Sequence, residues 1–198
     1  SLYQVYFMRF SFSCLACYSA GLLISALQHV HAASPVIANG VAAVAAGDGF
    51  TAYLEANGSL YIAGSNDSGQ LGDDSTTSRN TFGFVSSDVS QVECGANFIL
   101  FVKANGSLWG MGNNYFGQFG DGSRTGSSVP KQILASDVAS VSAGASHSLI
   151  LKTDGSLWSA GLNITGQLGD GSTADRTDLF RVVDSAVAVT TAFWCAGE

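Results

Sequence analysis

Several features of this sequence have the residue types and spacing to carry chemistry. His147, within Ser146-His147-Ser148, is of the type that serves as a general base near neutral pH. Asp73, Asp121 and Asp170 each follow a glycine, which invites a calcium reading. Calcium loops alternate several oxygen ligands within about a dozen residues, whereas each of these loops offers an Asp and then a Ser, as in Asp170-Gly171-Ser172. Such an Asp braces a turn by accepting from backbone two residues on, so turn chemistry is the expected role and no metal is assigned. Gly117-Gln118-Phe119-Gly120 has the glycines of a phosphate cradle but lacks the lysine and the following helix. Asn57, Asn66, Asn105 and Asn163 satisfy Asn-x-Ser/Thr, the acceptor pattern for sugar attachment. Cys14-x-x-Cys17 lies inside an apolar run and reads as small apolar residues. Cys94 and Cys195 could pair in an exported protein, although nothing in the sequence requires it.

The elements that must hold these residues follow from an internal repeat. Gly47, Gly95 and Gly144 are 48 and 49 residues apart. The same spacing links Gly58, Gly106 and Gly155, then Gly69, Gly117 and Gly166, then Gly72, Gly120 and Gly169. Between these anchors Asn57-Gly58-Ser59-Leu60-Tyr61 becomes Asn105-Gly106-Ser107-Leu108-Trp109 and Asp154-Gly155-Ser156-Leu157-Trp158. The repeat also controls for tempting residues. His147 occupies a slot filled by Phe50 and Phe98 in the earlier copies and by Cys195 later. A base or ligand does not exchange with phenylalanine, so His147 is read as filling a gap. No nucleophile, base and orienter can be assembled from what is left, and neither a catalytic residue nor a cofactor is assigned.

Each copy reads as four short strands. Val138 and Val141 lie on the first, His147 to Lys152 forms the second, Leu157 to Ala160 the third and Leu179 to Val183 the fourth. Asn-Gly or Asp-Gly between the second and third predicts a type I′ hairpin turn with positive φ at both central residues. Four strands per 48–49 residues without helical periodicity predict an all-β chain, a β-propeller of four-stranded blades. A sheet of this size must stack on its neighbours to bury its faces. Trp109 and Trp158, matched by Tyr61, are expected to pack between blades.

The string Gly144-Ala145-Ser146-His147-Ser148-Leu149, Asp154-Gly155-Ser156-Leu157-Trp158, Gly161-Leu162-Asn163, Gly166-Gln167-Leu168-Gly169 resembles a repeat of the regulator of chromosome condensation family. The resemblance runs from about Val41 to Gly197 and implies a propeller, usually of seven blades. It also implies guanine-nucleotide exchange, the founding member's activity. The tight period leaves no room for an inserted catalytic wedge, so exchange is not expected. There is no Trp-Asp dipeptide and no adjacent Gly-Gly pair, which argues against WD and kelch repeats.

The organisation expected is a leader over 1–32 and an incomplete propeller over 33–198. Its repeats span about 41–88, 89–137 and 138–185, with a broken fourth over 186–198, so the chain reads as a fragment. Met8-Arg9, an apolar stretch from Phe10 to Leu27 and Val30-His31-Ala32 match the parts of a secretory signal peptide. That stretch contains four serines and falls short of the roughly 20 apolar residues of a spanning helix. A membrane is therefore expected only if the segment is uncleaved, and the place of action is secreted or cell-surface, as for a bacterial exported member of the family. Apolar residues at 46% exclude a solvated polymer, and a net charge of -7 without a Lys/Arg cluster argues against nucleic acid.

Where the copies differ, a binding surface is expected. The residues before each Gly-Gln pair are Asp67-Ser68, Tyr115-Phe116 and Ile164-Thr165. Adjacent aromatics on a loop make good anchors, so Tyr115 and Phe116 are the candidate partner-binding residues. The expected function is a non-catalytic scaffold that binds a protein partner. Alternatives are inhibition of a secreted enzyme such as a β-lactamase, whose bacterial inhibitors resemble this repeat, and a propeller module of a larger cell-surface protein.

Overall fold

Within Phe50–Glu55, Phe50, Ala52 and Leu54 are buried while Thr51 is exposed, the period-two pattern of a strand with one face on a core. The computed structural model describes residues 40–184. In them this pattern builds three four-stranded antiparallel sheets. The first comprises β1 (Val41–Ala46), β2 (Phe50–Glu55), β3 (Leu60–Gly64) and β4 (Arg79–Ser86). The second comprises β5 (Val89–Cys94), β6 (Phe98–Lys103), β7 (Leu108–Gly112) and β8 (Ser127–Leu134). The third comprises β9 (Val138–Ala143), β10 (His147–Lys152), β11 (Leu157–Gly161) and β12 (Arg176–Val183). Each sheet is a blade whose strands pair in chain order, and the blades form part of a β-propeller. The expected leader, the broken fourth repeat and Cys14, Cys17 and Cys195 lie outside the described residues.

Two local expectations are corrected. The last strand of the third blade begins at Arg176, three residues before Leu179, because Gly161 pairs with Arg176 across a bulged register. The hairpin turns are also not type I′. Gly58 has φ +85°, but Asn57 is not in the left-handed region. Glu55 N donates to Ser59 O and Gly58 N donates to Glu55 O, which closes a three-residue loop. This is a right-handed turn ended by one left-handed glycine, with Asn57 Oδ1 accepting from Ser59 N at 2.8 Å. One extra loop residue moves the strain onto glycine alone.

Packing between blades makes the core. In β6, Phe98 to Val102 is buried throughout, so the strand serves two joints. Ile99 and Phe101 join Phe50, Ala52, Leu54, Leu60 and Ile62 of the first blade. Phe98, Leu100 and Val102 join Val138, Val141 and Ile150 of the third. Each such fully buried large side chain contributes roughly 1.5–3 kcal/mol. Trp109 and Trp158 pack against these clusters, as their positions in the repeat suggested. Each indole donates to a serine, Ser107 or Ser156, and carries a lysine, Lys103 or Lys152, over its ring. Backbone bonds cross the same joints at one end of the sheets, from Asp48 N to Ala96 O and from Ala96 N to Ala145 O. The Gln91 amide spans the second joint, donating to Val141 O and accepting from Val141 N.

His147 occupies the position its repeat partners imply. Its ring lies against Gly144, where a Cβ would stand 2.1 Å from the imidazole, just as the Phe50 and Phe98 rings lie against Gly47 and Gly95. Burial penalises the imidazolium and lowers the pKa below its usual value. The unfolded chain therefore binds this proton more readily. Stability is complete above the unfolded pKa, about 6.5, and declines as pH falls below it. His147→Phe is expected to shrink the loss of Tm between pH 8 and pH 5, measured by thermal melts at both. Equal losses in parent and variant would remove His147 as the cause.

Candidate functional site

The loops from β3 to β4, β7 to β8 and β11 to β12 emerge at the same end of each blade. Each is built around a buried asparagine: Asn66, Asn114 or Asn163. Asn114 Oδ1 accepts from Phe119 N at 2.9 Å, while its Nδ2 is directed at Asp121 Oδ1, Ser123 O, Ser123 Oγ and Thr125 O at 3.2–3.3 Å. The same set recurs around Asn66, with Asp73, Ser75 and Thr77, and around Asn163, with Asp170, Ser172 and Ala174. One amide thus satisfies the inner groups of a loop that has no strand ladder of its own. Asn66 and Asn163 are fully buried with their amides engaged, so neither can carry a sugar in the folded protein. Asn57 and Asn105 are exposed.

The aspartates are turn braces. Asp121 Oδ1 accepts from Ser123 N and Asp170 Oδ1 from Ser172 N. Each carboxylate also meets a cation from the fourth strand of its blade: Asp73 with Arg79, Asp121 with Lys131 and Asp170 with Arg176. The Arg176 guanidinium, with the Ser172 amide, holds the Asp170 carboxyl far below the usual carboxylate range. Asp73 is lowered chiefly by the Ser75 hydroxyl. Asp74, which replaces the second glycine of the later copies, adopts their left-handed backbone at φ 60°.

The first two loops also reach onto the next blade. Asp74 N donates to Ser128 O of β8, and Gly122 N donates to Thr177 O of β12. The Gln118 carbonyl accepts from Ser148 Oγ at 2.6 Å. Leu71 and Phe119, both fully buried, anchor the loops in the joints. Gln70 Nε2 is buried without a partner, because Ser65 stands where Asn113 accepts from Gln118 Nε2 in the second blade.

On this frame sit the candidate residues. Tyr115 N donates to Asn113 Oδ1 at 2.8 Å, Phe116 N donates to Gln118 Oε1 at 3.0 Å, and Arg124 Nη1 donates to Tyr115 O at 2.8 Å. Arg124 also reaches Asp175 on the neighbouring loop. The two rings meet edge to face with centroids 5.0 Å apart. Tyr115 is 65% exposed although its backbone is fixed, and Phe116 is half-buried. The structure adds Ile164, 67% exposed, at the equivalent tip position of the third blade. Sequence comparison of the copies placed it in the variable pair but did not single it out. The buried asparagines are likewise legible, since they recur 48 and 49 residues apart, but the sugar-acceptor pattern at Asn66 and Asn163 points away from their bracing role.

A family model described as Regulator of chromosome condensation (RCC1) repeat matches residues 57–102 and 105–151. A second model of the same description matches 41–70, 89–118 and 138–167, and together the two cover more than half of the sequence. No curated protein matches. Among solved structures, human WBSCR16 is 26% identical, aligning over 75% of this chain and 41% of its own, with a TM-score of 0.64. Prp20p from Saccharomyces cerevisiae, described with its binding properties to Gsp1p and histones, is 19% identical over 72% of this chain and 38% of its own, with a TM-score of 0.65. Yeast RCC1 (Prp20) bound to Kap60 is 22% identical over 72% and 37%, with a TM-score of 0.57. The chain spans about two fifths of the length of these proteins. The two yeast likenesses speak to the fold.

Proposed function

Because the chain belongs to the regulator of chromosome condensation (RCC1) repeat family, we propose that it is a non-catalytic β-propeller scaffold that binds a protein partner through its β7–β8 loop. The observation that carries this is the exposed Tyr115 ring on a backbone held by Asn113, Gln118 and Arg124. An aromatic that is fixed before binding loses little entropy on association and makes an efficient anchor. The yeast relatives are described as binding Gsp1p and histones and as bound to Kap60, which supports a protein as the partner class. The apolar stretch after Met8-Arg9 supports export, so the partner is sought outside the cytoplasm.

The test uses the full chain as bait against extracytoplasmic proteins, beside a Tyr115→Ser/Phe116→Ser variant. Proteins retained by the parent are expected to be lost from the variant. Equal retention by both would refute the reading, with matching melting curves showing that the variant is folded.

A further inference from the structure

The three loop tips form one row, because Asp67, Tyr115 and Ile164 each follow the buried asparagine of their loop. All three are exposed, and no two are alike. The row therefore has a chemical polarity, acidic on the first blade and apolar on the second and third. Its electrostatic setting is one-sided. The cations of the loop end, Arg79, Arg124, Lys131 and Arg176, are each committed to an aspartate. Among the described residues Asp48, Asp67 and Asp74 at the same end have no ion-pair partner. The surplus at this end is thus negative and lies on the first blade, where it attracts cations and repels acidic segments.

We propose that this row seats a cationic polypeptide segment, with lysine or arginine facing Asp67 and apolar side chains packed on Tyr115 and Ile164. The proposal rests on the loop-binding reading above and names its partner class. Apolar contact supplies the anchor, and charge selects which segments can approach. Asp74, held near Ser128 by that residue's hydroxyl, extends the acidic end toward the second blade.

Three peptides labelled at the N-terminal amine test it by anisotropy against the full chain: fluoresceinyl-Lys-Lys-Ser-Phe-Ser-Leu-amide, the same with two glutamates for the lysines, and the same with serines for Phe and Leu. The lysine peptide is expected to bind at least about tenfold more tightly than the glutamate peptide at low salt, with the gap narrowing at high salt. Asp67→Lys should abolish that preference, and Ile164→Ser should weaken the lysine peptide about fivefold or more. Equal affinity for the two charged peptides, a preference untouched by Asp67→Lys, or no binding by any peptide would overturn the proposal. The underlying reading fails only if the Tyr115/Phe116 variant retains what the parent captures, and it can stand where the present proposal falls. A protein captured by the parent, lost from the Tyr115/Phe116 variant and unaffected by Asp67→Lys leaves the loop as the site and removes the cationic segment.

Discussion

Gly117→Ala is expected to destabilise the protein by at least about 3 kcal/mol, a loss of roughly 10 °C in Tm. The residue sits at φ +81°, where an L side chain is strained. A Cβ there would also stand 2.6 Å from Thr177 Cα and 2.9 Å from Arg176 O on the next blade. Those contacts are backbone, which cannot swing aside. Gly171→Ala is the control: its φ is +78°, but no described atom lies within 4 Å of the added carbon. It should cost only the conformational part, about 1 kcal/mol. Urea titration of both variants separates the two effects. Equal losses would show that the loop does not clasp the neighbouring blade as described.

Asn114→Ala should cost about 3 kcal/mol or more. It removes the acceptor for the buried Phe119 N, leaving that group without a partner, and the donor shared by Asp121, Ser123 and Thr125 that ties the loop together. Asn114→Asp keeps the shape but places oxygens against oxygens, so at neutral pH it should be at least as damaging. Its penalty should shrink as pH falls toward about 4, where a protonated carboxyl can donate again. A mild effect of either substitution, read as the shift of the urea midpoint at constant slope, would mean that the loop is held by its ion pairs instead.

The strands and their grouping were legible because glycines mark the repeat and apolar residues alternate between them. The slot shared by His147, Phe50 and Phe98 already identified the histidine as packing, and the structure supplies the reason in the glycine beneath each ring. The turn chemistry of Asp121 and Asp170 was equally local and could be read from Asp-Gly-Ser. What could not be read were contacts between copies. That Gly117 is small because Thr177 passes over it, or that Gln118 meets Ser148, depends on how blades are set side by side. The type I′ expectation failed for a narrower reason, since Asn-Gly fits two hairpin lengths and only the pairing of Glu55 with Ser59 decides between them.

Both joints are made from the same parts: a backbone amide from the turn between the first and second strands bonded to the next blade, an aromatic row and a loop clasped over the following fourth strand. A stretch of 48 or 49 residues is therefore a transferable cassette. Duplicating or deleting one such length in the gene, from any starting phase, restores the severed seam on both sides. A lineage can thus alter its copy number in a single step, while the tips of individual loops diverge independently toward new tasks.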